Sequence, residues 1–327
     1  MPQLVAILGA TGAQGGSVAN RLLADPDTYR VRALTRNPRS AAAQALASRG
    51  AEVVAADVND ATSLGPAFTG IEALFVVTAF WPSIAKLGRD GAGDEEVAQF
   101  QAVADAAAKV ATLKHVVLST LPACAKMSHN KFPVPHYDYK QQAVDWIRAN
   151  HPDLWARTTE FWPGWYTSNL VGLMRPVPVA GSDGGYLLPL PSKADAMLPM
   201  AGNLQANAGI LVEAVLRCGP AKAGHGKIAI CITDYRPIRE VADVLTKITG
   251  GAKRVAYAEV SDAHFARLYG DDYGLEMAAQ LRWSEVYPDW HRFEPERTLR
   301  LADLGLEGEG KLVAFEESVE AIKDQVF

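Results

Sequence analysis

A glycine-rich turn close to the N-terminus constrains the fold of this chain more than any other feature. The apolar run 4–8 is followed at once by Gly9, Gly12 and Gly15, and the residues after them have helical apolar spacing. Glycines at these positions permit a tight turn, close approach of a pyrophosphate to the backbone and close packing of helix on strand. The helix begins with free N–H groups and the positive end of its dipole. The stretch therefore predicts a dinucleotide site, the alternative being a tight turn that binds nothing.

The end of the second predicted strand, 29–34, and the loop that follows it distinguish between the nicotinamide dinucleotides. A site for NAD usually places an acidic side chain there, which would repel a 2′-phosphate, whereas this chain has Arg36. A guanidinium can bind a phosphate through two hydrogen bonds and stack on adenine. Arg36 therefore favours NADP(H), the alternative being a solvated loop cation.

A third strand is predicted at 53–58, and it contains Asp57 near its end. The carboxylate of Asp57 could receive the adenine amino group. It could equally cap the helix that begins near residue 59 or 60. The sequence leaves both roles open.

Composition excludes several classes of protein. The chain has 327 residues, 49% of them hydrophobic and 21% charged, which is typical of an ordinary soluble globular protein. A net charge of −5 argues against nonspecific nucleic-acid binding. The longest apolar stretch, around 74–81, is too short to span a bilayer, and no signal-peptide pattern is present, so we expect a cytoplasmic protein. The cysteines at 124, 218 and 231 suit neither zinc nor disulfides, and no metal is expected.

Strand-like apolar runs alternate with helical patterns through the first half of the chain. Further strands are predicted at 72–77, 114–118 and 156–161, with helices between them at 95–111 and 139–149. This alternation predicts an α/β fold with a Rossmann-type, doubly wound parallel sheet. Right-handed crossovers bring the carboxyl ends of the strands to one edge, where the dinucleotide should lie.

The regular alternation weakens after residue 162, where several prolines divide the chain into short segments. We therefore expect an NADP-binding domain at 1–161 and a smaller, irregular α+β substrate domain at 162–327. A strand near 227–232 is expected to rejoin the sheet, and a helix is predicted at 238–249.

Large aromatic side chains concentrate in the loops and irregular segments, where such rings often line a pocket. Each ring taken alone is better explained as part of the core. Taken together they predict a roomy aromatic cavity for a bulky, flat substrate. The residues assigned to substrate binding are Trp81, Trp165, Tyr166, Phe265, Tyr269 and Trp283.

The chain resembles the NmrA-like family of atypical short-chain dehydrogenase/reductases, which includes HSCARG-like NADPH sensors and is related to the phenylcoumaran benzylic ether reductases. The likeness spans most of the chain and is strongest over the first 80 residues or so. The segments that carry it are 9–19, 35–39, 77–81, 136–140, 163–166 with Asn169, 185–191 and 240–250.

The resemblance implies a set of residues that hold NADP(H). These are Gly9, Thr11, Gly12, Ala13, Gln14, Gly15, Arg36, Asn37, Asp57, Val58, Thr78, Ala79, Phe80, Lys140, Pro163, Gly164, Trp165 and Tyr166. The same resemblance implies either an enzyme or a cofactor sensor, because the family includes both.

Reductases of the wider superfamily use a Tyr-x-x-x-Lys motif, in which the lysine holds the nicotinamide ribose and lowers the tyrosine pKa. Here the residue four positions before Lys140 is His136. Pro135 suits the first position of a helix, so His136 and Lys140 should share one face while Tyr137 and Tyr139 point elsewhere. This departure puts proton transfer in doubt more than cofactor binding.

Three residues are candidates for catalysis. Lys140 is expected to hold the ribose, the alternative being a solvated helix cation. His136 is either the proton donor or a packed, hydrogen-bonded histidine. Ser119, with Thr120 beside it, either polarises a substrate carbonyl or makes ordinary hydrogen bonds at a strand end.

These features predict an NADPH-dependent reductase acting on a C=O, C=N or activated C=C bond of a bulky aromatic metabolite, of the kind found in secondary metabolism. One alternative is a non-catalytic NADP(H)-sensing regulator that binds a protein partner. Another is a redox-linked cyclase that uses the same pocket. A monomer or a homodimer is expected, with no nucleic-acid or membrane partner.

Overall fold

The computed structural model describes residues 1–172, 174–308 and 312–327. The strands in chain order are β1 (Gln3–Leu8), β2 (Tyr29–Thr35), β3 (Glu52–Ala55), β4 (Ala73–Val76), β5 (His115–Ser119), β6 (Thr158–Pro163), β7 (Val177–Pro178), β8 (Gly185–Leu190), β9 (Met197–Met200), β10 (Lys227–Cys231), β11 (Asp234–Pro237), β12 (Arg254–Glu259) and β13 (Thr298–Leu299).

The helices are α1 (Ala13–Leu22), α2 (Ala41–Ser48), α3 (Ala61–Ala67), α4 (Trp81–Ala107), α5 (Cys124–Met127), α6 (Pro135–Asn150), α7 (Pro152–Trp155), α8 (Leu204–Cys218), α9 (Pro220–Ala223), α10 (Ile238–Ile248), α11 (Asp262–Tyr269), α12 (Asp271–Val286) and α13 (Phe315–Val326). Single 3₁₀ turns lie at Thr167–Val171, Trp290–Arg292 and Leu301–Leu304.

An eight-stranded sheet, parallel throughout, forms the centre of the described fold, in the order β13-β10-β6-β5-β4-β1-β2-β3. Its inner strands are buried along their length, which explains why they read as continuous apolar runs in the sequence. The strand order reverses at β1, which pairs with β2 on one side and β4 on the other. Such a reversal opens a crevice at the carboxyl ends of the strands. The predicted fold class is confirmed.

Helices cover both faces of the sheet. On one face, α1 and α8 bury apolar side chains against β1 and β10. On the other, α3, α4 and α6 pack against β4 and β5. Because α8, β10 and β13 all follow residue 162, the second half of the chain completes the central layers. The strand expected near 227–232 is β10, parallel to β6.

The remaining C-terminal segments form a smaller region with mixed strand pairing. One sheet has the order β12-β8-β7, and a second pairs β11 with β9. Helices α10 to α13 pack around them in a separate apolar core. No helix in the described ranges is both long and apolar enough to cross a membrane.

Helix α4 begins much earlier than the predicted 95–111. It starts at Trp81 and is interrupted at Gly88, whose φ of 70° lies in the left-handed region. The glycines of this segment hide its helical pattern, because glycine is a poor helix former. The consequence is that Trp81 lies in the first turn of a helix that begins five residues after the end of β4.

The stability of the fold should depend on pH through His115, at the start of β5. Its Nε2 lies 2.8 Å from the hydroxyl oxygen of Thr159, and its Nδ1 is buried without a hydrogen-bond partner in the described chain. Protonation would add a buried N–H with no acceptor. Burial lowers the pKa of His115 from 6.5 to about 4.

The direction of this pH dependence follows from the number of protons bound in the folded and unfolded states. The unfolded chain protonates His115 near pH 6.5 and the folded chain near pH 4, so its contribution is complete above pH 6.5 and declines as the pH falls. At 1.36 kcal/mol per pKa unit, wild type should lose about 3 kcal/mol of unfolding free energy through this group by pH 4. His115→Gln does not titrate and should lose correspondingly less in urea melts at pH 7 and pH 4. Equal losses in the two proteins would contradict this assignment.

Candidate functional site

A cavity of about 680 Å³ opens at the carboxyl ends of the central strands. Its floor is the crevice beside β1, its walls come from the loops after β2, β4, β5 and β6, and α6 and α12 close one end. Of the residues predicted to bind cofactor, it is lined by Gly9, Thr11, Gly12, Ala13, Gln14, Gly15, Arg36, Val58, Thr78, Ala79, Phe80, Lys140, Pro163, Gly164, Trp165 and Tyr166.

The glycine turn leaves no room for side chains at two of its positions. Gly9 has a φ of 77°, and a Cβ there would lie 2.7 Å from a methyl carbon of Val77. A Cβ on Gly15 would lie 2.3 Å from the carbonyl oxygen of Gly9. The helix α1 begins at Ala13, so Gly15 lies in its first turn, and no side chain of the described residues caps its N-terminus. Its first N–H groups therefore face the cavity with the geometry that binds a pyrophosphate.

Arg36 follows β2, is exposed and lines the far end of the cavity. Two predicted neighbours do not line it. The side-chain oxygen of Asn37 accepts the Arg39 N–H at 3.1 Å, and that of Asp57 accepts the Asn59 N–H at 3.0 Å. These short side chains stabilise their own turns. The helix α3 is capped instead by Asp60.

Gln14 links the glycine turn to the two strands beyond it. Its carbonyl oxygen accepts the hydroxyl of Ser119 at 2.7 Å, and its amide donates to the phenol oxygen of Tyr166 at 2.7 Å. The proton of Ser119 is therefore already used, which removes the basis for assigning it to polarise a carbonyl. Burial raises the pKa of Tyr166, so its phenol stays protonated and can donate toward the cavity.

Lys140 projects from α6 into the cavity wall and is only 8% exposed, which excludes a solvated helix cation. Its ammonium pairs with Glu96 of α4 and lies 3.3 Å from the hydroxyl of Thr78. Thr78 in turn donates to Glu96 at 2.6 Å. The second carboxylate oxygen of Glu96 is buried with no partner among the described residues. The lysine is thus held rigidly in the wall by a buried carboxylate.

His136 lies one helical turn before Lys140 and also lines the cavity. Its Nδ1 is 2.6 Å from Glu276 of α12, and its backbone N–H donates to the same oxygen at 2.9 Å. Glu276 is fully buried. The predicted common face of His136 and Lys140 is therefore present.

Both tyrosines on α6 were expected to point away from the cavity, but only one of them does. Tyr139 does, donating to Asp90 at 3.1 Å. Tyr137 instead lines the cavity, because residues three apart on a helix are also neighbours. Its ring packs edge-on against His136 with centroids 4.6 Å apart. Burial raises the pKa of Tyr137, so its phenol remains protonated.

Two aromatic rings frame the end of the cavity beside His136. Trp81 and Tyr273 have centroids 5.1 Å apart, and Trp81 lies 4.8 Å from the imidazole. The Tyr273 hydroxyl donates to the Trp81 carbonyl at 3.1 Å, so α12 is tied to the start of α4. Met277 lines the same end. This wall suits a flat apolar group.

Of the other rings predicted to bind substrate, Trp165 and Tyr166 line the cavity, and the remaining three lie elsewhere. Trp165 borders the cavity but is 3% exposed, and its indole N–H points at the sulfur of Met174, 3.0 Å away. Phe265 packs against Tyr269 in the C-terminal core, and Trp283 stacks on Tyr287 with centroids 4.1 Å apart. None of these last rings is among the described residues that line the cavity. Their aromatic character serves core packing.

The parts played by Glu96, Glu276 and the helix α12 at this site were not predicted from the sequence. Glu276 lies at helical spacing from Tyr273 and Gln280, and these two line the cavity. That i, i+3, i+7 pattern is the available signal for Glu276. Glu96 follows an equally acidic neighbour on α4, and no pattern in the sequence separates the two.

Comparison with known proteins gives one family match and several relatives. The model of the NmrA-like family matches residues 1–308. The NmrA-like family domain-containing oxidoreductase lnaB of Aspergillus flavus is 31% identical over 196 residues, which are 57% of this chain and 55% of that protein.

Solved structures share the fold over nearly the whole chain. Nmra, a negative transcriptional regulator, in complex with NADP has a TM-score of 0.75 at 19% identity, covering 99% of this chain and 96% of its own. The NADPH-dependent quinone oxidoreductase QOR2 of Escherichia coli, complexed with NADPH, has a TM-score of 0.69 at 24% identity, covering 97% and 99%. The family model spans the glycine turn, Arg36, the α6 residues and α12 alike, and on that evidence the chain belongs to the NmrA-like family.

Proposed function

We propose that this protein is an NADPH-dependent reductase of a C=O, C=N or activated C=C bond in a bulky, flat aromatic compound. The observation that carries the proposal is the convergence of Lys140, His136 and the Trp81 ring at one end of a cavity whose other end has the glycine turn and Arg36. A dinucleotide laid along the cavity would reach both ends.

The residues present fit NADP(H). The glycine turn and the uncapped start of α1 would hold the pyrophosphate, and Arg36 would hold the 2′-phosphate. Lys140 and Tyr166 would contact the nicotinamide ribose. The bound nicotinamide would supply the hydride. Two proteins of this fold are solved with NADP or NADPH, in agreement with this assignment.

The substrate end combines apolar surface with few charges. Trp81, Tyr273 and Met277 offer flat or flexible apolar surface, and the ammonium of Lys140 is already paired with Glu96. A carboxylate or phosphate on the substrate would therefore find no unpaired cation here among the described side chains. This chemistry supports a flat acceptor without a negative charge.

A regulator is the second candidate, because the fold is shared with a protein described as a negative transcriptional regulator. A sensor needs the cofactor end of the cavity alone. The His136–Glu276 pair and the aromatic wall lie at the opposite end and favour catalysis.

The test measures NADPH oxidation with 1,4-naphthoquinone and with an aromatic aldehyde, in wild type and in Trp81→Ala. Removing the ring should raise the KM for the acceptor by about tenfold, the equivalent of ~1.4 kcal/mol of lost stacking, while the Kd for NADPH changes by less than about twofold. Trp146→Ala, a half-buried tryptophan outside the cavity, is the matched control. An NADPH affinity that falls as far as acceptor affinity would overturn the assignment of this wall.

A further inference from the structure

We propose that Glu276 is a positioning residue for proton delivery, and that it holds the imidazole of His136 by Nδ1 so that Nε2 faces the cavity and can protonate the reduced product. The inference rests on the proposed reductase function and deepens it. It also gives α12, in the C-terminal half of the chain, a part in the chemical step.

The contacts fix the imidazole at one edge. A single oxygen of Glu276 accepts both the Nδ1–H of His136, at 2.6 Å, and its backbone N–H, at 2.9 Å. Both side chains are buried, with His136 5% exposed and Glu276 not exposed at all. The backbone hydrogen bond holds the Glu276 oxygen beside α6, and rotation of the ring away from it would break the Nδ1 hydrogen bond.

The hydrogen bond at Nδ1 determines which ring nitrogen of His136 faces the cavity. The carboxylate can only accept, so Nδ1 carries a hydrogen and Nε2 is the atom left for the cavity. Within the described chain, Nε2 has no protein hydrogen-bond partner, while the ring lines the cavity. The protonated ring therefore presents an Nε2–H donor to a bound acceptor.

The surroundings of the carboxylate support this assignment. The second oxygen of Glu276 is buried and has no hydrogen-bond partner among the described residues, and no lysine or arginine there pairs with it. Among the described side chains, the imidazole of His136 is therefore the one that Glu276 holds.

With NADPH bound in the cavity, its hydride would add to the carbonyl carbon of the acceptor while the C=O π bond breaks, and the electron pair of that bond would go to the oxygen as an alkoxide. The Nε2–H of His136 gives its proton to that oxygen, which yields the alcohol and NADP⁺. The neutral imidazole then regains a proton from water. An aromatic wall of Trp81 and Tyr137, with centroids 4.8 and 4.6 Å from the imidazole, keeps the ring in place throughout.

A purely structural role is the competing explanation. Glu276 also bonds a backbone N–H in the first turn of α6, and a carboxylate stabilises a helix at that end. In that case loss of the carboxylate would lower the stability of the fold without changing the hydrogen bonding of the imidazole. Tests of the proposal therefore need to measure the state of His136 directly.

The kinetic test compares Glu276→Gln with Glu213→Gln, a buried carboxylate on α8 that pairs with Arg21 and lies outside the cavity. Glu276→Gln should lower kcat for the quinone or aldehyde by about tenfold or more, with less than about a threefold change in KM, because general acid catalysis typically contributes about 10²–10⁴-fold. Glu213→Gln should leave kcat unchanged. In a His136→Phe background, Glu276→Gln should have no further effect on kcat.

The spectroscopic test needs no turnover. In protein labelled with [15N]histidine, His136, assigned by its absence in His136→Phe, should show a protonated Nδ1 and a low-field Nδ1 proton that disappears in Glu276→Gln. A proton on Nε2 with Nδ1 bare, or an Nδ1 signal unchanged in Glu276→Gln, overturns the proposal. An unchanged kcat in Glu276→Gln, measured against an active wild type, would also overturn it. So would loss of turnover in Tyr137→Phe together with normal turnover in His136→Phe. If the wild-type protein binds NADPH but reduces neither acceptor, the proposed reductase function itself is contradicted, which is a different outcome from failure of the role of Glu276.

Discussion

Arg36→Asp should weaken NADPH binding by about 100-fold while changing the Kd for NADH little, or improving it. The guanidinium lies exposed at the end of the cavity, directly after β2, where the ribose 2′ position of a bound dinucleotide would fall. Losing a charge-assisted, two-point contact and adding a repulsive carboxylate should cost about 3 kcal/mol, which is two decades in Kd. Isothermal titration with both cofactors measures the effect directly.

Arg39→Asp is the matched control for this change. Arg39 is also exposed and lies on the same loop, but it is not among the described residues that line the cavity. Its substitution by aspartate changes the net charge by the same amount. It should alter NADPH affinity by less than about threefold, through long-range charge alone. Equal Kd values for NADPH and NADH in wild type, or equal losses in the two variants, would show that Arg36 does not read the 2′-phosphate.

Lys140→Met should reduce turnover by about tenfold or more and also destabilise the protein. The ammonium is buried and paired with Glu96, so its removal leaves a buried carboxylate without a counter-charge. Breaking a buried pair from one side typically costs about 3–5 kcal/mol. Urea melts measure the stability loss, and NADPH oxidation at a temperature where the variant is folded measures turnover.

The double variant Lys140→Met with Glu96→Gln separates the two effects. Neutralising the carboxylate should restore most of the unfolding free energy, because no buried charge remains unpaired. Turnover should stay low, because the cation that we propose to orient the nicotinamide ribose is still missing. Recovery of turnover along with stability would mean that Lys140 acts only as the partner of Glu96.

Local patterns made much of the fold predictable. The apolar runs and the glycine turn report backbone conformation and burial over a few residues, and the central strands appear where those runs lie. The common face of His136 and Lys140 followed from helical spacing alone, starting at Pro135. Glycine obscured the first turns of α4, where Gly88 interrupts the helical pattern.

Tertiary pairing made the rest of the site unpredictable. Nothing near Glu96 or Glu276 in the chain shows that each meets a cation or an imidazole on α6, 44 and 140 residues away. Aromatic residues gave a mixed result, because a ring in a core and a ring on a cavity wall have the same local sequence signature. Trp81 and Tyr166 line the cavity, whereas Phe265 and Trp283 fill cores.

The most direct test of the reductase assignment is a single-turnover experiment with NADPH deuterated at C4. Enzyme in excess over NADPH is mixed with 1,4-naphthoquinone, and loss of the reduced nicotinamide absorbance is followed by stopped flow. For a reductase we expect acceptor-dependent oxidation that slows with deuterium and transfers the label to the product, or to solvent where the product exchanges it. Tight binding of NADPH with no oxidation by either the quinone or the aldehyde would contradict the reductase assignment and favour the cofactor-binding regulator.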